Sequence, residues 1–167
     1  MNNSHRTLIN FNPKDIQQLY ATGYYVLHPD YLLSYRYSDG FTERLLRVDI
    51  YIDVLFTCKV NLEYRKKQGA EYTTVSQQFE TDMPDTIKNL VTQLTEQEAL
   101  HLKHYYADTQ MEDASQTDFV INHKGKSYNV GMSIFIKKPA PENEAEYLLF
   151  QLTAALEQWR EALYKHL

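Results

Sequence analysis

The chain has 167 residues, of which 43% are hydrophobic and 23% charged, with one cysteine and a formal net charge of −5. These proportions fit one globular domain over 1–167 and exclude a disordered chain, a disulfide-built secreted scaffold and the basic surface of a nucleic-acid binder. No apolar run approaches the roughly 20 residues of a membrane helix and the N-terminus lacks an apolar signal core, so the expectation is a cytoplasmic protein with no membrane partner.

In chain order, Asn12-Pro13-Lys14-Asp15 carries helix-start chemistry: a capping Asn, Pro at the first helical position and an acidic residue in the first turn. Ile16, Leu19 and Tyr20 would give that helix its apolar side, with Gly23 closing it. Tyr24 to Leu27 and Tyr31 to Tyr37 are strand candidates, and Ser38-Asp39-Gly40 supplies a hairpin signal. From about Thr42 to Arg65 polar and apolar residues alternate. Val48, Ile50, Ile52, Val54, Phe56, Cys58, Val60, Leu62 and Tyr64 share the inward parity, and Arg47, Asp49, Tyr51 and Asp53 are among those on the outward one.

A straight strand of about 20 residues would reach roughly 60 Å at ~3.3 Å per residue, well beyond the ~40 Å diameter of such a domain. The run must therefore bend, carry a bulge or be two strands, and Val54-Leu55-Phe56 is where its parity falters. Lys66-Lys67-Gln68-Gly69 turns the chain back into Glu71 to Phe79. After Pro84 the period changes to that of a helix, with Ile87, Leu90, Val91 and Leu94 on one stripe. Thr95-Glu96-Gln97-Glu98 has capping-box spacing and predicts a second helix carrying Ala99, Leu102, Tyr105 and Tyr106. Asp118 to Asn122 and Ser127 to Lys137 form another hairpin, in which Gly131 marks a bulge or a close backbone approach. Asn143 and Glu146 cap a last helix whose stripe is Leu148, Leu149, Leu152, Leu156, Trp159 and Leu163. The architecture implied is α+β: a curved antiparallel sheet of about five to six strands, made of two hairpins and a long bent strand. One face is packed by the long C-terminal helix and the shorter helices.

Candidate chemistry is thin. Asp49 and Asp53 stand about 13 Å apart along a strand, beyond the ~9.5 Å upper spacing of a glycosidase carboxylate pair. Glu98 and His101 have Glu-x-x-His spacing, with His104 three residues on, but a carboxylate-bridged site needs a second such motif, so no metal is expected. Cys58 reads as a buried core thiol. With no nucleophile elbow or phosphate loop, no cofactor is expected and the chain reads as non-catalytic.

The leading expectation is an intracellular binding or adaptor protein that meets a protein partner, or a second copy of itself, through an exposed sheet face. Tyr51 and Leu55 would be its anchors, rimmed by Asp49 and Asp53. One alternative is a small-molecule site or enzyme between the curved sheet and the C-terminal helix, lined by Ile52, Phe56, Met132 and Trp159 with Tyr64 as a polar handle. Another is an immunity- or inhibitor-like protein whose acidic surface meets a basic partner.

Overall fold

A computed structural model describes residues 5–39, 45–107, 115–133 and 139–165. Among these residues, eight strands form one sheet in the order β1-β7-β6-β5-β4-β9-β10-β8: β1 (Thr7–Leu8), β4 (Tyr31–Ser38), β5 (Leu45–Asp53), β6 (Cys58–Gln68), β7 (Glu71–Thr81), β8 (Tyr105–Tyr106), β9 (Gln116–His123) and β10 (Lys126–Ser133). A separate two-stranded sheet pairs β2 (Gln17–Leu19) with β3 (Tyr25–Leu27), preceded by a single helical turn, α1 (Pro13–Ile16). The helices α2 (Asp85–Thr95) and α3 (Glu144–Lys165) complete the α+β architecture. The strand count exceeds the five to six expected. All pairs in the large sheet are antiparallel except β8 with β10.

The long alternating run is two strands. Val54 and Leu55 form a turn, and Ile52 pairs with Cys58 across it. Asp53 builds this turn: its Oδ1 accepts the N–H groups of Leu55 at 2.9 Å and Thr57 at 2.8 Å, so no glycine is needed. Phe56 takes the left-handed conformation, φ 61°, with its ring under the Lys88 ammonium. The turn after β9 has positive φ at both central residues, Lys124 and Gly125, as a type I′ hairpin requires.

Two expected helices fail. Asn12 does cap α1, its Oδ1 accepting the Lys14 N–H at 3.1 Å, but the helix stops at Ile16. Leu19 and Tyr20 are 60% and 53% exposed, so nothing rewards a longer helix, and the chain pairs Gln17 with Leu27 instead. Gly23, φ 85°, serves the turn between β2 and β3 rather than a helix end. Past Glu96, other elements take the carbonyls that a second helix would use. His123 Nε2 meets Gln97 O, Lys124 Nζ donates to Glu98 O, Asn143 Nδ2 to His101 O, and the Gly131 N–H to His104 O. A Cβ on Gly131 would sit 2.7 Å from the Tyr105 ring, the close approach its place in the strand suggested.

The inward parity meets α2 and α3. Leu33, Tyr35, Ile50, Ile52, Val60, Leu62, Phe79, Phe119 and Ile121 pack against Ile87, Val91 and Leu94 of α2. On the α3 side the contacts are Leu148, Leu149, Leu152, Leu156, Trp159 and Leu163, so the C-terminal stripe is core. Asn143 Oδ1 caps α3 by accepting the Glu146 N–H at 3.0 Å. Cys58 is fully buried, and burial pushes its thiol well above the ordinary range. The hairpin signal at Gly40 and the strand residues 134–137 lie outside the described residues.

Candidate functional site

The reverse face of the sheet is covered as well. The N-terminal layer, residues 11–28, lies across β4, β9 and β10, and Ile16, Leu27, Tyr31, Tyr51 and Val120 form a second apolar cluster there. Phe11 meets Tyr51 edge-on at 5.9 Å between ring centroids. Polar side chains of the sheet bind this layer's backbone. Asn129 accepts the Tyr25 N–H and returns its amide to Tyr25 O, both at 2.8 Å. The Asn122 amide meets the carbonyls of Leu27, His28 and Tyr31, and Ser127 Oγ accepts the Leu27 N–H. The outward polar parity of the strands is therefore an interlayer, with much of it turned away from water.

Strand register assembles its central feature. Arg36 of β4, Asp49 of β5, Asn61 of β6 and Gln78 of β7 are successive cross-strand partners, so their side chains form one row. The Asp49 carboxylate, 1% exposed, accepts Arg36 Nε at 2.7 Å, Arg47 Nε at 3.1 Å and Asn61 Nδ2 at 3.2 Å. Gln78 Nε2 donates to Asn61 Oδ1, and the Phe11 N–H to Gln78 Oε1, which ties the row to the N-terminal layer. Burial draws the Arg36 guanidinium down, but the charge and hydrogen bond of Asp49 outweigh it and hold the group above its ordinary value. At the row's far side Asp118, partner of Arg36, is raised by burial, and a hydrogen bond from Gln116 and the Arg36 charge oppose that rise.

Where the N-terminal layer does not lie flat on β5 and β6, a cleft of about 730 Å³ remains. Arg36, Arg47, Tyr51 and Asn61 line it from the sheet, and Lys14, Gln17 and Tyr25 from the layer above. Arg36 is shared, reaching the Tyr25 hydroxyl at 3.5 Å with its guanidinium over that ring. Arg47 spends its Nε on Asp49, and its terminal nitrogens have no partner among the described residues. Tyr51 is 1% exposed, yet its hydroxyl has no partner of hydrogen-bond geometry among the described residues; the Arg36 guanidinium stands near it, outside that geometry. Burial first, and the Asp49 charge second, push that hydroxyl's pKa up to about 12 against the opposing pull of Arg36 and Arg47, so it is a neutral group with a proton to donate.

The structure separates the four residues expected on an open face. Asp49 and Tyr51 stay on one face but are buried, Tyr51 in the cleft floor and Asp49 behind the arginines that line it, which corrects the expectation that they rim or anchor an exposed surface. Their face is closed by a layer whose own sequence reads as a short helix followed by a short strand. Asp53 is a turn-building residue, and Leu55, 82% exposed, sits apart from Tyr51 at the hairpin tip. Glu98 and His101 share no helical face, because their segment is not helical. Among the described residues no group of three or more His, Cys, Asp or Glu could hold a metal ion, and no helix is long and apolar enough to cross a membrane. Arg36, Tyr25 and Gln17 escaped the sequence reading. A lone arginine between Tyr35 and Tyr37 was the available signal.

A smaller cavity, about 350 Å³, lies between the sheet and α3, lined by Tyr37, Thr117, Met132, Phe150, Thr153 and Arg160 among others. Of the residues expected in such a pocket, Met132 alone lines it, while Ile52 and Trp159 are packed core. Arg160 donates to the Tyr35 hydroxyl at 2.8 Å and stacks 3.5 Å over the Tyr37 ring, and its Nε–H has no partner among the described residues. No family model, curated protein or solved structure compared with the chain matches it.

Proposed function

We propose that this is a non-catalytic binding protein whose ligand site is the cleft between the N-terminal layer and strands β4 to β6. The observation that carries this reading is the Tyr51 hydroxyl, buried in the floor of the cleft with no partner of hydrogen-bond geometry among the described residues. A buried unsatisfied hydroxyl costs about 1–3 kcal/mol, and a ligand atom that reaches it removes that cost. The unused terminal nitrogens of Arg47 support the same reading from the rim. Binding is favoured over catalysis because the buried Asp49 carboxylate is already held by Arg36, Arg47 and Asn61 and does not line the cleft, so it is poorly placed to act as a base. A crystallographic fragment screen tests this: polar fragments should occupy the cleft in contact with Arg47 or Tyr51. Hits confined to other surfaces would count against it.

One observation favours a second reading, a mainly apolar ligand in the cavity under α3: the buried, unpartnered Nε of Arg160 beside Met132 and Phe150. A naphthalene sulfonate probe should then bind the native protein stoichiometrically and be excluded by Thr153→Trp, which fills the cavity. Equal binding to both forms would remove this reading.

A further inference from the structure

We infer that the cleft takes a small monocarboxylate, held by Arg47 and by the floor around Tyr51; this rests on the cleft being the ligand site. The first argument is the sign of what is unsatisfied. The free groups are N–H donors of Arg47 and a hydroxyl held neutral, so the complement is an acceptor, and an ionised one gains most from a guanidinium. With its Nε on Asp49, Arg47 still presents two terminal nitrogens, which match the two oxygens of a planar carboxylate.

Charge decides between a carboxylate and a phosphate. Lys14, Arg36 and Arg47 face the cleft with Glu63, while Asp49 and Asp118 stand behind it beside Arg36: three cations against three carboxylates. With no positive charge to spare, the cleft suits a monoanion held by the Arg47 fork better than a dianion. A dianionic phosphate would leave excess negative charge beside the buried Asp49 carboxylate, where repulsion is poorly screened. The walls set the rest of the molecule. Leu19 and Tyr25 contribute apolar surface, and the volume of about 730 Å³ admits a body of modest size. Carboxylate inward on the arginines, with an apolar or aromatic body against Tyr25, is the orientation that satisfies both.

Calorimetric titration at low ionic strength tests this with benzoate, hexanoate, inorganic phosphate, benzamide and glucose against the wild type, Arg47→Gln, Arg47→Lys and Tyr51→Phe. Melting curves on each variant confirm that it is folded. Benzoate or hexanoate should bind more tightly than phosphate. Benzamide, of the same shape without the charge, should bind at least about tenfold more weakly than benzoate, as should benzoate to Arg47→Gln. Arg47→Lys keeps the charge and loses the fork, so it should recover only part of the affinity. Tyr51→Phe should weaken benzoate by a smaller factor. Phosphate as the tightest probe, or benzamide equal to benzoate, overturns the carboxylate inference but leaves the cleft as the site. Glucose binding that Tyr51→Phe abolishes, without carboxylate binding, does the same. Carboxylate binding indifferent to every variant, or no binding by any probe, overturns the inference, and the fragment screen then decides separately whether the cleft is a site at all.

Discussion

Toward α2 and α3 the sheet presents Leu33, Tyr35, Ile50, Val60 and Phe79; on the opposite face of the same strands stand Ser34, Arg36, Asp49, Asn61 and Gln78. Both sets are covered, by different kinds of chain. Regular helices cover the apolar face, because an apolar surface asks only for another apolar surface and tolerates many registers. The polar face is covered by a short turn, a small hairpin and extended chain whose own N–H and C=O groups need partners. Asn129, Asn122, Ser127 and Gln78 supply them at fixed positions. Each such bond is worth only about 0.5–1.5 kcal/mol net, but leaving either partner unpaired costs more, so this face specifies one seating of its cover.

The sharpest way to break that contrast is Asp49→Ala. It leaves Arg36 and Arg47 without their shared carboxylate; because both guanidiniums are partly solvated, the expected loss lies at the lower end of about 3–5 kcal/mol of unfolding free energy. Because Asn61 and Gln78 connect the row to Phe11, hydrogen exchange in residues 11–28 should accelerate more than exchange in α3. Uniform acceleration across the molecule would mean that the two faces do not respond separately. On the apolar side, Leu152→Ala removes a fully buried side chain and should cost about 3 kcal/mol, read from urea unfolding with an unchanged slope. Its exchange pattern should be the reverse, faster in α3 and α2.

The apolar face was legible because its signal is periodic. The stripes of α2 and α3, the hairpin at Lys124-Gly125 and the inward parity of β5 and β6 all follow from residue spacing. The division of the long run into β5 and β6 was hidden by arithmetic. Paired residues of a hairpin point to the same face, and Ile52 and Cys58, an even number of positions apart, continue the alternation through the turn as if one strand ran on. The two-residue turns, where Gln68 pairs with Glu71 and His123 with Lys126, shift the parity and are visible. The cleft was hidden for another reason. Asp49 and Arg36 have the composition of a solvated face, and nothing within residues 47–53 reveals that residues 11–28 lie on top of them. Long-range hydrogen bonds such as Tyr25 to Asn129 carry that placement, and they have no local periodicity.

A smaller effect sharpens the account of the polar face. Asn122→Ala withdraws one amide from three carbonyls, those of Leu27, His28 and Tyr31, and should cost about 1–3 kcal/mol. The loss should fall on the β3 end of the layer. Exchange at residues 25–31 should rise while Asp49 keeps its arginines, which can be read from unaltered amide shifts in β5. A change in β5 as large as that at β3 would argue that the interlayer acts as one unit.

Tyr51→Phe gives the smallest change and has the opposite sign. The ring of Tyr51 packs with Phe11, Ile16 and Val120, and phenylalanine keeps those contacts. What it removes is a buried hydroxyl with no partner among the described residues, so the unliganded protein should hold its stability or gain up to about 1 kcal/mol. For a chain of this length that is a rise of about 2–4 °C in Tm. Asp49 and Asn122 behave differently because both are satisfied, and removing either strands its partners. If Tyr51→Phe instead lowers Tm by several degrees, the hydroxyl is already bonded in the free protein and the cleft floor holds no unmet demand. If Tm rises while carboxylate affinity falls, the polar face holds a hydroxyl that its own packing leaves unpaired and that the ligand uses.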